Sequence, residues 1–200
     1  MIAITSRLIC KRPFLEQLEK VAEAGPELVI LREKDLAHGD LEELAKECFR
    51  ICSRNGVLLS INSDISAARD LGIPRVHLPM DIIRTSDIRG FRLVGASVHS
   101  PEEAAEAERL GAHYLIAGHV FPTACKLGEP RGTDFLRAVC SAVDIPVYGV
   151  GGITPANYWD VLDAGAAGAA SMSAVMRADD PSDIIGGMAP PVGSWGLLSR

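Results

Sequence analysis

Residues 114–126 read Tyr114-Leu115-Ile116-Ala117-Gly118-His119-Val120-Phe121-Pro122-Thr123-Ala124-Cys125-Lys126. An apolar run ends in a glycine, an imidazole follows directly, and a Pro-bounded polar loop then closes on a lysine. An apolar strand that delivers a polar side chain to a loop is what the top of a parallel-barrel strand looks like, and barrels keep their chemistry there. Histidine at such a place is suited to moving protons, because its charge changes near neutral pH.

The same pattern recurs along the chain. Apolar runs occupy residues 2–5, 28–32, 57–62, 75–78, 93–98, 114–118, 146–150 and 168–172. Most are apolar almost throughout, as parallel strands covered on both faces must be. Helical patterns lie between them. Residues 13–24 start with a proline and stop at Gly25-Pro26, with Leu15, Leu18 and Val21 at helical spacing. Residues 40–54 offer Asp40 as N-cap and Leu41, Leu44, Ala45 and Cys48 as an apolar stripe. Ser63 or Asp64 caps a short helix ended by Gly72, and Ser100-Pro101-Glu102-Glu103 is a capping box with proline at the first helical position. Further helices are expected over 133–143 and 154–164, with shorter ones over 85–90 and 179–188. Eight alternations with short connections predict an α/β fold, a single-domain (β/α)8 TIM barrel over residues 1–188. The alternative is an open doubly wound sheet, which a count of eight disfavours. Residues 189–200 are expected to form a frayed C-terminal tail.

Composition narrows the function classes. A formal charge of -6, without any Lys/Arg cluster, argues against a nucleic-acid partner. No apolar segment approaches the ~20 residues of a membrane span, and no secretory signal is evident, so a cytoplasmic location is expected. Five cysteines are odd in number and scattered, which fits a reducing compartment. Cys48 and Cys52 share helical spacing but no second Cys or His pair, so they read as core thiols rather than metal ligands.

Strand ends supply the candidate site. After the seventh and eighth strands, Gly151-Gly152 and Ser173 can expose backbone amides and a helix start to a phosphate; otherwise the glycines serve only a tight turn. His119 is the foremost proton-transfer candidate, the alternative being a packed structural histidine. Strand alternation gives Arg32 and Lys34 a shared direction, and the two cations could hold a carboxylate or phosphate. Their alternative is a rim ion pair with Glu33. Ser97, Ser100 and Thr123 are weaker signals, and His77 faces inward or belongs to the core.

These stretches resemble the thiamine phosphate synthase / thiazole tautomerase (TenI-like) family. The resemblance rests on Leu31-Arg32-Glu33-Lys34, Ile61-Asn62, Val76-His77-Leu78, Gly95 through Glu103, Gly118 through Lys126, Gly149 through Ile153 and Ala164-Gly165-Ala166. It covers most of the chain. The synthase branch joins a pyrimidine diphosphate to a thiazole phosphate with Mg²⁺. It carries Gln before Leu-Arg, Asn-Asp after the third strand, and Gly-Gln-x-Asp after the fourth. Here those positions hold Ile30, Asn62-Ser63 and Pro79-Met80-Asp81-Ile82, so Asp64 and Asp81 are each one residue out of place. Mg²⁺ requires tight oxygen geometry, which offset carboxylates serve poorly. Gly118-His119-Val120-Phe121 and Cys125-Lys126 are instead similar to the tautomerase branch.

The resemblance therefore implies a metal-independent isomerase without cofactors, acting on a small thiazole phosphate. His119 would shuttle a proton and Gly151, Gly152 and Ser173 would hold the phosphate. Lys34, Asn62, Ser97, Thr123 and Lys126 would line the pocket. A homodimer is an allowed assembly. The alternatives are a divergent Mg²⁺-dependent thiamine phosphate synthase and a non-catalytic regulatory protein that binds thiazole phosphate.

Overall fold

A computed structural model describes residues 1–123 and 128–189. Eight strands run β1 (Ile2–Ile4), β2 (Leu28–Leu31), β3 (Leu58–Asn62), β4 (Arg75–Pro79), β5 (Leu93–Val98), β6 (Tyr114–Gly118), β7 (Val147–Val150) and β8 (Gly168–Ser171). They close in sequence order into a parallel barrel, β8 pairing back onto β1. Around it lie α1 (Phe14–Glu23), α2 (His38–Arg54), α3 (Ile65–Asp70), α4 (Met80–Thr85), α5 (Pro101–Arg109), α6 (Gly132–Ser141), α7 (Tyr158–Asp163), α8 (Ser173–Arg177) and α9 (Ser182–Gly187). The fold is thus a single-domain (β/α)8 TIM barrel, and the open-sheet alternative is excluded. No helix among the described residues is long and apolar enough to cross a membrane. The expected tail lies outside the described residues from Pro190 onward.

Period-2 alternation divides the core into two layers. Outward residues such as Val29, Leu31, Leu59, Ile61, Val76 and Leu115 are buried under the helices. Inward residues Ile2, Ile4, Leu28, Ile30, Tyr114, Ile116, Tyr148 and Ala170 fill the barrel. Tyr114 and Tyr148 meet edge-on, with ring centroids 6.1 Å apart. Tyr114 has room only because Gly95 opposes it on β5: a Cβ there would lie 2.1 Å from the ring. At the barrel floor the N-terminal ammonium pairs with Glu27 at 2.7 Å.

Three helix boundaries depart from the sequence pattern. Asp40 does not cap α2, which starts at His38; Asp40 sits in the first turn, where a carboxylate still complements the positive helix end. The short helix expected over 85–90 lies earlier as α4, entered from the extended residue Pro79. The pattern over 154–164 becomes helical only at Tyr158, because Asn157 Oδ1 accepts from the Thr154 amide at 2.8 Å and forms a turn first. The capping box at Ser100 is formed. Its hydroxyl accepts from the Glu103 amide at 3.1 Å, and Glu103 Oε2 accepts from the His99 amide at 2.6 Å.

Candidate functional site

The C-terminal ends of the strands enclose a cavity of about 500 Å³. Ile4, Ile30, Ile116 and Val150 give it an apolar floor. His119, Gly151, Gly152, Ser173, Asn62, Ser97 and Thr123 all line it, so most of the expected site converges. Lys34 does not. It is exposed and lines a second cavity of about 560 Å³ beside Glu33 and Asp64. Strand β2 ends at Leu31, so the alternation expected to align Lys34 with Arg32 stops before it applies. Arg32 alone of that pair reaches the barrel mouth. Asn62 lines both cavities. Lys126 and Cys125 lie outside the described residues.

The glycine pair has a structural task that the sequence did not reveal. Gly151 and Gly152 have φ of +96° and +67°, a region that favours glycine. A Cβ on Gly151 would lie 2.3 Å from His119 Cβ, and one on Gly152 would lie 2.4 Å from Pro122 O. The loop after β6 is also bonded to β7. Val120 N donates to Val150 O at 2.9 Å and Phe121 N to Gly151 O at 3.0 Å. The glycines therefore seat the His119 loop.

His119 is 6% exposed although it lines the cavity. Its Nε2 lies 3.3 Å from Gly128 O, and among the described residues its buried Nδ1 has no partner. Such an atom costs free energy unless a ligand completes it. His77, facing inward from β4, is the polar residue beneath. Its Nε2 lies 2.8 Å from Ser97 Oγ and its Nδ1 lies 3.1 Å from the Tyr114 hydroxyl. Burial pushes its pKa down to about 3, so the ring is neutral and fixes the Ser97 hydroxyl at the mouth. His99 also lines the cavity, its Nδ1 3.2 Å from Gly118 O.

Sequence reasoning passed over Arg177, which also lines the mouth. The available signal was its spacing: it stands four residues beyond Ser173, one turn along the same helix.

The donor set does not suit the Mg²⁺ that the synthase branch would imply. Among the described residues no Asp or Glu lines the mouth. In the second cavity, Glu33 accepts from Thr5 Oγ1 at 2.7 Å and from the Arg7 amide at 3.0 Å. Asp64 caps α3 at Ala67 N and holds Ser66 Oγ and His38 Nδ1 at 2.8–2.9 Å. Asp81 lines neither cavity. Ser63, where the synthase pattern has Asp, accepts from Asn62 Nδ2 at 2.8 Å. Hard divalent ions need several free oxygens in close geometry, and these are engaged elsewhere.

Comparison with known proteins places the chain. A family model, TMP-TENI, described as thiamine monophosphate synthase, matches residues 1–175. The thiamine-phosphate synthase of Listeria welshimeri is 37% identical over 175 residues, covering 82% of this chain and 84% of that protein. A thiamine biosynthesis bifunctional protein of Symbiobacterium thermophilum is 38% identical over 170 residues, 82% of this chain but 35% of that longer protein. Among solved structures, the thiamine phosphate pyrophosphorylase of Pyrococcus furiosus superposes with a TM-score of 0.80 at 31% identity, covering 93% of this chain and 91% of that one. These relatives overturn the thiazole tautomerase and isomerase expectation. The expectation had rested chiefly on His119, one side chain at the mouth. The runner-up, a divergent synthase, is the better supported.

Proposed function

We propose that this chain, which belongs to the TMP-TENI family, is a transferase that joins a pyrimidine-methyl diphosphate to a thiazole phosphate, giving thiamine phosphate and pyrophosphate. The observation that carries this is its similarity to proteins named for that synthesis, over more than four-fifths of the chain. The cavity supports it, since the mouth opens beside a second space that Asn62 also borders, giving two substrates room to lie side by side.

The chemistry is a displacement. The thiazole nitrogen donates its lone pair to the pyrimidine methylene carbon, and a C–N bond forms. The methylene C–O bond breaks and its electron pair leaves with pyrophosphate. The ring becomes a thiazolium cation, and no ring proton moves. His119 therefore shuttles no proton in this step; its unpartnered Nδ1 is a hydrogen-bond partner for substrate. Gly151, Gly152 and Ser173 hold the thiazole phosphate, and the heterocycle rests on the apolar floor. Ser97, fixed by neutral His77, and Asn62 orient the polar edges of the two rings, with Thr123 beside them. Holding both reactants in line supplies most of the acceleration, since oriented reactants gain effective molarities of ~10⁵ M and above. Lys34 serves the second compartment. The four described cysteines are free thiols, in keeping with a reducing cytoplasm.

The test mixes full-length protein with both substrates and follows thiamine phosphate by mass spectrometry. Product formation is expected. Absence of product from folded protein, across metal-containing and chelated buffers, would reject the assignment.

A further inference from the structure

The mouth carries positive charge that no described residue neutralises. Arg32 and Arg177 both line it, and no carboxylate does among the described residues. Neither guanidinium has an ion pair or hydrogen-bond partner among those residues. Several arginines elsewhere are paired, Arg84 with Glu106, Arg89 with Asp87 and Arg12 with Asp179. Arg32 is also held in place, because its amide donates to Thr5 Oγ1 at 2.9 Å, and that hydroxyl donates in turn to buried Glu33.

Topology brings the two cations to one side of the mouth. Arg32 follows β2, and Arg177 ends α8, which follows β8. Strand β1 lies between β2 and β8, so the two arginines flank the end of a single strand. That strand ends at apolar Ile4, which lines the cavity and brings no competing acceptor. Two planar guanidiniums present fork-shaped donor sets that match phosphate oxygens. Together they carry the charge of one divalent ion, on elements already fixed by the fold.

We propose that Arg177, acting with Arg32, is the counter-charge for the diphosphate in this chain, so that the mouth binds a diphosphate without a divalent cation. This rests on the transferase assignment for the identity of the anion. The leaving pyrophosphate, where negative charge builds as the C–O bond breaks, is then met by guanidinium donors rather than by a metal.

Calorimetric titration with inorganic pyrophosphate tests it, using full-length protein in EDTA and again in excess Mg²⁺. Wild-type protein is expected to bind in EDTA within about threefold of its affinity in Mg²⁺, and Arg177→Met to lose about tenfold or more in EDTA. Arg177→Lys keeps the charge but not the fork and is expected to fall between. Arg109→Met, an exposed arginine on α5 away from the mouth, removes the same charge and is expected to bind like wild type. Binding that requires Mg²⁺, or an Arg177→Met protein that binds like wild type, would overturn the assignment. The coupling assay separates the two claims. Coupling with Mg²⁺-dependent pyrophosphate binding sinks only the counter-charge. Metal-free, Arg177-dependent binding without coupling sinks only the reaction.

Discussion

Replacing Gly151 by alanine isolates the contact that seats the His119 loop. Two costs add. An L-residue held at left-handed φ loses ~1–2 kcal/mol. The new methyl would lie 2.3 Å from His119 Cβ and 2.9 Å from His119 Cα, both on the packed loop. Relieving such an overlap shifts backbone and costs roughly 1–3 kcal/mol more. The total is about 2–5 kcal/mol, which in a domain of this size lowers the melting temperature by roughly 4–20 °C. Gly25→Ala is the control. Its φ is +72°, yet no heavy atom lies within 4 Å of the built Cβ, so it carries the backbone cost alone. Urea unfolding of both variants gives the difference directly, expected to be about 1–3 kcal/mol in favour of Gly25→Ala. Equal destabilisation of the two would refute the claim that the glycine exists to admit the loop.

Acid titration of stability reads out His77. The unfolded chain takes up a proton near pH 6.5 that the folded chain refuses until about 3, so stability is full above 6.5 and falls as pH drops through that window. Between pH 6.5 and 5 this costs about 2 kcal/mol, and His77→Gln is expected to flatten that part of the denaturation series. An unchanged slope would place the ring in water. Ser100→Ala removes the N-cap of α5 and is expected to cost ~1 kcal/mol by urea denaturation, with pyrophosphate affinity unaltered. A loss of affinity would show that this helix start reaches the site.

Much of the architecture was legible because the signals were local. Ser100 capped its helix, Gly25 and Gly111 ended theirs, and the eight apolar runs each became a strand. What stayed hidden depended on contacts between distant segments. In strands buried on both faces, alternation is masked, so nothing marked Tyr114 as inward or Gly95 as the space it needs. That Lys34 lines the second cavity rather than the mouth was hidden because β2 ends at Leu31 and Glu33 then turns toward Thr5 and Arg7, partners 28 and 26 residues away. The glycines after β7 could be read as glycines, but not as the seat for the loop after β6. The reaction was misjudged for a related reason. Gly118-His119 distinguishes one residue at the mouth, whereas similarity over the whole barrel carries the assignment.

The decisive measurement is stoichiometry over a single turnover. Protein is mixed with both substrates, quenched, and assayed for thiamine phosphate and pyrophosphate in parallel. The two are expected to appear in equal amounts, and neither when the thiazole phosphate is omitted. Pyrophosphate released without a new C–N bond, or a thiazole phosphate altered when supplied alone, would contradict the account.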